Sequence, residues 1–244
     1  MVRMGERTQL KTYRGSGMTA DFKVRIKGIL FDMDGVLVSS IGSVERSWTK
    51  WALEVGLDPE EAIAKAHGRR SIDSVRAMRP DLDAVEENRK ILNWEIEDQE
   101  GVEQLAGVSA LIAQLPATVW TVVTSAARSL AVARMGAAGI APPAKFISGD
   151  EVNKGKPDPE PYRKGAELLG FDPQDCLVIE DAVSGATAGR AAGCKVLATT
   201  LSHSIESLIA ADWIVETLEG IHVTVLPGEW LELAFEPLPR PARD

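Results

Sequence analysis

Short apolar runs bounded by turn residues recur along the chain and are typical of buried β-strands. The runs lie at residues 28–31, 118–123, 145–147, 176–179, 195–198 and 213–215. Helix-compatible segments lie between most of them, and the segments 130–138, 159–169 and 184–192 each end just before a glycine. Alternation of buried strands and helices indicates a parallel sheet that is covered on both faces. We therefore predict an α/β fold with a Rossmann-like, doubly wound parallel sheet.

The segment 41–105 breaks this alternation. Its large apolar residues recur at helical spacings without a convincing strand: Trp48, Trp51, Leu53, Ile63, Val75, Met78, Ile91, Leu92, Trp94 and Ile96. We interpret the segment as a small α-helical domain inserted after the first strand, in which Trp48, Trp51 and Trp94 are packing residues. The predicted organisation is a core of residues 23–40 and 106–232, a helical cap of residues 41–105, and loose tails at 1–22 and 233–244.

Composition and charge exclude several classes of protein. The 244 residues carry a net charge of −9, and a sequence this acidic is not expected to bind nucleic acid. Residues 104–127 are free of charge and long enough to span a bilayer, but Pro116 and several polar residues interrupt them, so we expect no membrane span. The N-terminus lacks the apolar core of a signal peptide, so we expect a cytoplasmic protein with Cys176 and Cys194 as buried thiols. Nothing in the sequence requires more than a monomer.

Two carboxylates end the first predicted strand. The stretch ILFDMDGVLV (29–38) places Asp32 and Asp34 two residues apart, and such side chains of an extended segment point the same way. Open α/β sheets bind ligands at the carboxyl ends of their strands. Because two adjacent carboxylates repel each other, a hard cation such as Mg²⁺, which prefers oxygen ligands, would suit this position. Alone, the pattern is equally compatible with a turn that carries solvated acids.

Three later segments carry groups that suit a phosphate. TVVTSAAR (121–128) ends a predicted strand with Ser125, whose hydroxyl and following backbone N–H groups, beginning with Ala126, can hold a phosphate oxygen. NKGKPDPEPY (153–162) offers Lys154 or Lys156 to neutralise charge, and LVIEDAVSG (177–185) ends another strand with two acids. Each segment alone has a structural explanation as a strand-end serine, a surface lysine or a helix-capping acid. The four segments in this order favour a common site.

With these segments in place, the sequence resembles the haloacid dehalogenase-like hydrolases, in particular their phosphatases with a helical cap after the first motif. The resemblance covers roughly residues 25–215 and rests on four matches: DMDGV at 32–36, Ser125, Lys156, and the pair Glu180–Asp181. It implies that Asp32 is the nucleophile that forms an aspartyl-phosphate. It also implies that Asp34 protonates the leaving alcohol and then activates water.

The same resemblance assigns the phosphate and metal ligands. Ser125, Ala126 and Lys156 would bind the transferring phosphoryl group, and Lys156 would also stabilise its charge during catalysis. The resemblance further implies a Mg²⁺ site formed by Asp32, the backbone carbonyl of Asp34, Asp181 and, nearby, Glu180.

The type of reaction can be narrowed from the same motifs. Dehalogenases of this superfamily lack an acid at the position of Asp34, so Asp34 disfavours that chemistry. The similar β-phosphoglucomutases carry a histidine at the position of Val44 and an arginine that aligns with Ser71. Both departures favour a phosphatase over a phosphosugar mutase, which stays the alternative. A non-enzymatic phospho-ligand binder is the third possibility, although a binder has no need of the nucleophile.

The stretch AHGRRSIDSVRAMRPD (66–81) bears on the substrate, because it is similar to the corresponding stretch of glycerol-phosphate and 2-deoxyglucose-6-phosphate phosphatases. We predict that His67, Arg69 and Arg70 face the active site and contact the substrate, although they could equally be solvated surface residues. The predicted substrate is a small sugar or polyol phosphate monoester. His203 and His222 lie outside all four motifs and receive no role. A cap in this position could also open and close over the site.

Overall fold

The computed structural model describes residues 22–240. Its strands are β1 (Phe22–Ile26), β2 (Gly28–Phe31), β3 (Val38–Ser39), β4 (Glu103–Gln104), β5 (Trp120–Val122), β6 (Cys176–Glu180), β7 (Lys195–Thr199), β8 (Trp213–Val215), β9 (His222–Leu226) and β10 (Trp230–Phe235). Its α-helices are α1 (Ile41–Val55), α2 (Pro59–Ala66), α3 (Ser71–Met78), α4 (Ala84–Glu97), α5 (Val108–Ile112), α6 (Arg128–Ala137), α7 (Glu160–Leu169) and α8 (Val183–Ala192).

The centre of the molecule is a five-stranded parallel sheet with the strand order β5-β2-β6-β7-β8. Consecutive residues of its strands face opposite hydrophobic layers, as the period-2 geometry of a strand requires. In β2, Ile29 and Phe31 join a layer that includes α5 and α6, whereas Leu30 joins a layer that includes α7 and α8. The sheet is therefore covered on both faces, and the predicted doubly wound α/β class is confirmed.

Residues 41–97 form the four helices α1 to α4, which we call the helical insertion. The insertion has its own hydrophobic cluster, in which Trp48 and Trp51 are buried edge-to-face with ring centroids 5.3 Å apart. Trp94 is half-buried and lies under the Lys50 ammonium group, 3.9 Å from its ring centroid. The two connections to the core run side by side, because β3 and β4 pair antiparallel. The expectation that 41–105 holds no strand is wrong for β4.

A second sheet lies outside the predicted elements. β1, β10 and β9 form an antiparallel sheet in that order. The predicted tail 233–244 is wrong for residues 233–235, which belong to β10, where Leu233 and Phe235 are buried. Phe22 likewise belongs to β1, whereas the rest of the predicted N-terminal tail, 1–21, lies outside the described residues. The predicted strand 145–147 forms only a single bridge, between Ile147 and Val123.

Two further predictions concern a membrane span and the two cysteines. Within residues 22–240, no helix combines the length and the apolar character that crossing a bilayer requires. Cys176 and Cys194 are both buried free thiols, as predicted.

Candidate active site

Three acidic residues meet at the carboxyl end of the parallel sheet. Asp32 follows β2, Glu180 ends β6 and Asp181 follows it. The pairing continues past the strand, since the Asp32 N–H donates to the Ile179 carbonyl at 2.9 Å. Carboxylate oxygens of the three residues lie within 4.8 Å of one another, and all three residues are buried. The carboxylates that the sequence places on separate segments are thus brought together by strand pairing.

Lys156 is the cation within this group. Its Nζ donates to Asp32 Oδ1 at 2.8 Å and to Glu180 Oε1 at 2.7 Å. Burial by itself would lower the pKa of Lys156, but the two carboxylates outweigh burial and raise it, so the side chain stays protonated. The alternative, Lys154, is exposed and lies 3.9 Å from Asp158. The structure therefore selects Lys156 of the two lysines in the NKGKPDPEPY stretch.

Glu180 is fully engaged by its neighbours. Besides Lys156, its Oε1 accepts from the Tyr162 hydroxyl at 2.8 Å, and its Oε2 accepts from the backbone N–H groups of Asp181 and Ala182, each at 2.9 Å. Burial opposes its charge, but Lys156 and these donors outweigh burial and lower the pKa of Glu180. Glu180 therefore holds Lys156 and the strand end in place, and each of its oxygens already has two partners.

The charges of the group suit a bound cation. Three buried carboxylates surround one lysine, so the group is deficient in positive charge. Burial, only partly offset by Lys156, raises the pKa of Asp32 well above its ordinary value, and the charges of Glu180 and Asp181 add to the effect. Burial also raises the pKa of Asp181. A hard divalent cation bound to Asp32 and Asp181 would stabilise the ionised forms of both carboxylates. A donor set that consists only of oxygen atoms fits Mg²⁺.

Asp34 occupies a different position from the other acids. In the described part of the chain, its side chain is not a member of the three-carboxylate group. Its Oδ1 accepts from Ser40 Oγ at 2.6 Å and from Arg134 Nη1 at 3.0 Å. Asp34 also lines a cavity between the core and the helical insertion, which we call the main cavity. The predicted metal contact through the Asp34 backbone carbonyl stays a prediction. Gly35 follows with φ +81°, and a Cβ on it would collide with the Asp181 carboxylate, so only glycine lets Asp181 approach so closely.

The predicted phosphate ligands lie at the end of β5, beside the acids. The Ser125 hydroxyl donates to the Gly68 carbonyl of the helical insertion at 3.3 Å. The Ala126 N–H donates to Thr124 Oγ1 at 3.0 Å. Thr124, Ser125 and Ala126 all line the main cavity, as Asp32 and Asp181 do. Their role in phosphate binding stays a prediction.

The main cavity has a volume of about 350 Å³ and lies between the core and the helical insertion. Asp32, Asp34 and Asp181 line it from the core, and His67 and Arg69 line it from the insertion. His67 Nε2 lies 3.7 Å from Asp181 Oδ2, and this neighbour, partly opposed by burial, raises the pKa of His67. Two of the three predicted cap residues therefore face the cavity.

Arg70, the third, does not line this cavity. Its guanidinium pairs with Asp73 at 2.6 Å and donates to the backbone carbonyls of Val152 at 2.7 Å and Asn153 at 3.1 Å. Arg70 therefore fastens the insertion to the core loop 149–153. Val44 and Ser71, which stand where the resembling mutases carry histidine and arginine, both line the main cavity.

Sequence reasoning missed several residues that the structure brings to the site. Ser202 Oγ donates a short hydrogen bond to Asp181, and the His203 ring packs edge-to-face on His67 with centroids 5.1 Å apart. Arg134 and Glu95 form an ion pair beside Asp34, and both residues line the main cavity. Only Arg134 left a signal in the sequence, because it is a charged residue on the apolar face of its helix, beside Leu130, Ala131 and Met135.

Several known proteins are similar to this chain in sequence. The chain is 40% identical to hexitol phosphatase A of Escherichia coli (strain K12) over 210 residues, which covers 84% of this chain and 97% of that protein. It is 33% identical to glycerol-1-phosphate phosphohydrolase 2 of Saccharomyces cerevisiae over 232 residues, covering 89% of this chain and 92% of that protein. It is 32% identical to the yeast 2-deoxyglucose-6-phosphate phosphatase 1, covering 80% of this chain and 89% of that protein.

Solved structures share the fold. A hydrolase from Pseudomonas syringae superposes with a TM-score of 0.72 at 22% identity, covering 79% of this chain and 94% of that chain. A β-phosphoglucomutase from Clostridium difficile superposes with a TM-score of 0.69 at 20% identity, covering 79% of this chain and 92% of that chain. At 22% and 20% sequence identity, these similarities show a shared fold and nothing more.

The family follows from a match that covers more than half of the chain. The model of the haloacid dehalogenase-like hydrolases matches residues 26–193, a range that holds Asp32, Ser125, Lys156 and the pair Glu180–Asp181. Together with the relative that is 40% identical over most of both chains, this match confirms the resemblance read from the four motifs. The protein belongs to the haloacid dehalogenase-like hydrolase family.

Proposed function

We propose that this protein is a Mg²⁺-dependent phosphatase that hydrolyses small sugar or polyol phosphate monoesters through an aspartyl-phosphate. The observation that carries the proposal is the Lys156 ammonium group bonded to Asp32 and Glu180 in a buried group of three carboxylates. Asp32 and Asp181 of this group line a cavity whose opposite wall is formed by the helical insertion. The family and the printed activities of the three relatives described above support the same reaction class.

Asp32 is the proposed nucleophile. Its carboxylate attacks phosphorus, a P–O bond to Asp32 forms, and the bond from phosphorus to the alcohol oxygen breaks. Lys156 holds Asp32 Oδ1, so the attacking carboxylate has a set orientation. Asp34 gives its proton to the departing alcohol oxygen, and the alcohol leaves as a neutral molecule. The first half of the reaction therefore ends with phosphorylated Asp32 and ionised Asp34.

The second half-reaction consumes a water molecule. Asp34, now ionised, accepts a proton from water as the water oxygen attacks phosphorus, and the bond to Asp32 breaks to release inorganic phosphate. Ser125 Oγ and the Ala126 N–H are the proposed donors to the phosphoryl oxygens, and Lys156 stabilises their charge. Mg²⁺, held by Asp32, Asp181 and the Asp34 backbone carbonyl, would neutralise the repulsion between carboxylate and phosphate when bound.

The cavity favours a small organic group on the phosphate. Its volume of about 350 Å³ has to hold both the phosphate and the alcohol part. The wall formed by the insertion combines apolar side chains such as Trp48 and Ile63 with the polar His67 and Arg69, which suits the carbon skeleton and hydroxyls of a polyol.

A phosphosugar mutase has the same fold and remains the alternative, because a β-phosphoglucomutase superposes on the chain. Its chemistry needs the phosphoryl group to return to a second hydroxyl of the sugar. Val44 and Ser71 line the cavity where the resembling mutases carry histidine and arginine, so the groups associated with that transfer are lacking at those positions.

The proposal is tested by measuring phosphate release from hexitol phosphates, glycerol-1-phosphate and 2-deoxyglucose-6-phosphate, with Mg²⁺ and with a chelator. We expect metal-dependent release from a few of these esters. Asp32→Asn should lower the rate by about 10⁴-fold or more, as expected for loss of a nucleophile. The matched control is Asp172→Asn, at an exposed aspartate outside the cavity, which should keep the full rate.

Two results would contradict the proposal. If Asp32→Asn kept its rate while folded, the nucleophile would be wrong. If no ester released phosphate under any condition, a mutase or a binding protein would be favoured, and analysis of the products for an isomerised phosphate would distinguish these two.

A further inference from the structure

Arg134 in α6 is a buried arginine between two carboxylates that come from different parts of the molecule. Its Nη1 lies 3.0 Å from Asp34 Oδ1, at the end of the first motif, and its Nη2 lies 3.5 Å from Glu95 Oε1, in α4 of the helical insertion. Arg134 and Glu95 are both only 3% exposed. The three side chains form a continuous line of contacts from the insertion to the proposed acid.

Packing alone does not account for this arrangement. Burying an arginine costs free energy, and an ion pair offsets this cost only if its geometry is good. An apolar side chain at this position would stabilise the packing of α4 against α6 at least as much. On α6 the neighbouring buried positions are indeed apolar: Leu130, Ala131 and Met135. A charged residue on this face is therefore better explained by what it does to Asp34.

The two side-chain oxygens of Asp34 differ in their hydrogen bonds. Ser40 Oγ and Arg134 Nη1 both donate to Oδ1, at 2.6 Å and 3.0 Å. Within residues 22–240, no hydrogen bond is made to Oδ2. The two donors therefore fix the carboxyl plane and leave Oδ2 as the oxygen that can carry a proton to or from a substrate in the cavity.

We infer that Arg134 is a positioning residue that, together with Glu95 of the insertion, orients Asp34 for proton transfer to the leaving alcohol. The inference rests on the proposed function, since it assigns the orientation of the acid in that reaction. It adds a residue from α6 and one from the insertion to a mechanism that the four motifs place entirely in the core.

The link to the insertion is incomplete in this structure. The 3.5 Å separation from Glu95 is long for a charge-assisted hydrogen bond, and Nε and Nη2 of Arg134 are buried without a hydrogen-bond partner among the described residues. A movement of α4 toward α6 of less than about 1 Å would complete the bond, given the usual length of such contacts. Burial raises the pKa of Glu95, and Arg134 and Trp48, both of which line the cavity, partly offset this rise. A substrate that contacts the insertion can therefore change the orientation of Asp34 through Glu95 and Arg134.

The test compares two leaving groups in the first half-reaction. An alkyl alcohol needs a proton to leave, whereas p-nitrophenolate is a stable anion that leaves without one. The rate of phosphoryl transfer to the enzyme is measured by rapid quench with the best polyol phosphate from the panel and by the p-nitrophenol burst with p-nitrophenyl phosphate. Both rates are determined for the wild type, Glu95→Gln and Arg134→Lys.

We expect each variant to lower the alkyl rate at least about ten-fold more than the aryl rate, because only the alkyl ester uses the proton of Asp34. Glu95→Gln preserves the size of the side chain, and Arg134→Lys preserves the charge but not the planar fork. The control is Arg46→Lys, because Arg46 pairs with Asp98 on the surface of the insertion. In this variant the ratio of the alkyl rate to the aryl rate should not change.

An equal loss on both esters would indicate a general structural or binding role and overturn the inference, as would unchanged rates in both variants. These results would leave the proposed function intact, because the wild type still transfers phosphate from both esters. A wild type that reacts with neither ester would instead overturn the proposed function, and the inference with it.

Discussion

At the scale of single residues, the site depends on one buried cation that is shared by two acids. Lys156 is 4% exposed, and its ammonium group contacts both Asp32 and Glu180. Such an ion pair contributes little net stability compared with apolar packing, but removing one partner leaves uncompensated charge in the interior. We therefore expect both the proposed activity and the stability of the protein to depend on Lys156.

Lys156→Ala should abolish phosphate release and destabilise the fold by about 3–5 kcal/mol, because Asp32 and Glu180 lose their common partner. Unfolding in urea measures the loss of stability. The matched control is Lys65→Ala, which breaks the exposed ion pair between Lys65 and Glu61 on α2 and should leave the urea midpoint unchanged. Equal effects of the two substitutions would show that Lys156 is not the buried charge partner described above.

At the scale of the elements, two helical glycines have opposite surroundings. Gly165 in α7 faces the sheet, and an added Cβ would lie 2.7 Å from Val123 Cγ2 and 3.2 Å from Leu30 Cδ2. Gly136 in α6 is exposed, and an added Cβ would meet nothing within 4 Å. The first glycine lets a helix approach the sheet closely, whereas the second only adds conformational freedom to the unfolded chain.

Gly165→Ala is therefore expected to destabilise the protein by about 1–3 kcal/mol through overpacking. Gly136→Ala should stabilise it by about 0.4–1 kcal/mol, because alanine restricts the unfolded chain and its side chain fits here. Urea unfolding of both variants beside the wild type measures the two changes. Changes of the same sign would mean that α7 does not pack on the sheet as closely as the structure indicates.

At the scale of the whole molecule, folding itself creates the proposed metal site, because the acids that would form it come from segments about 150 residues apart in the sequence. The unfolded chain separates Asp32 from Asp181, so Mg²⁺ should bind the folded state in preference. Binding of this kind raises the apparent stability, and the effect can be measured without any substrate.

Mg²⁺ at 100 times its dissociation constant should raise the free energy of unfolding by about 2.7 kcal/mol, which corresponds to an increase of about 5–10 °C in Tm for a chain of this size. Thermal unfolding followed by circular dichroism measures the increase, with sodium chloride of equal ionic strength as the reference. In Asp181→Asn the increase should disappear. A similar increase in this variant, or with sodium alone, would place the effect of Mg²⁺ elsewhere on the protein.

Much of the core could be predicted from the sequence, because its signals are local. Apolar runs of four to six residues and helices that end at glycine mark β2, β6, β7, α7 and α8 close to their observed bounds. The antiparallel sheet escaped prediction, although WLELAF in β10 alternates buried and half-buried positions with period 2. A short alternating segment near the end of a chain acquires a meaning only when its partner, here β1, is known to lie beside it.

The sequence by itself determined which chemical groups the protein has for the proposed reaction. Asp32, Asp34, Ser125 and the pair Glu180–Asp181 could be singled out because each follows an apolar run at the predicted end of a strand. Lys156 could be singled out because it precedes a predicted helix and matches the third motif of the family. Only the tertiary structure decided how these groups are paired: that Lys156 bridges Asp32 and Glu180, that Arg70 fastens the insertion instead of facing the cavity, and that Arg134 reaches Asp34. The physical reason is that pairing depends on which surfaces pack together across distant parts of the chain, and no short stretch of sequence contains that information.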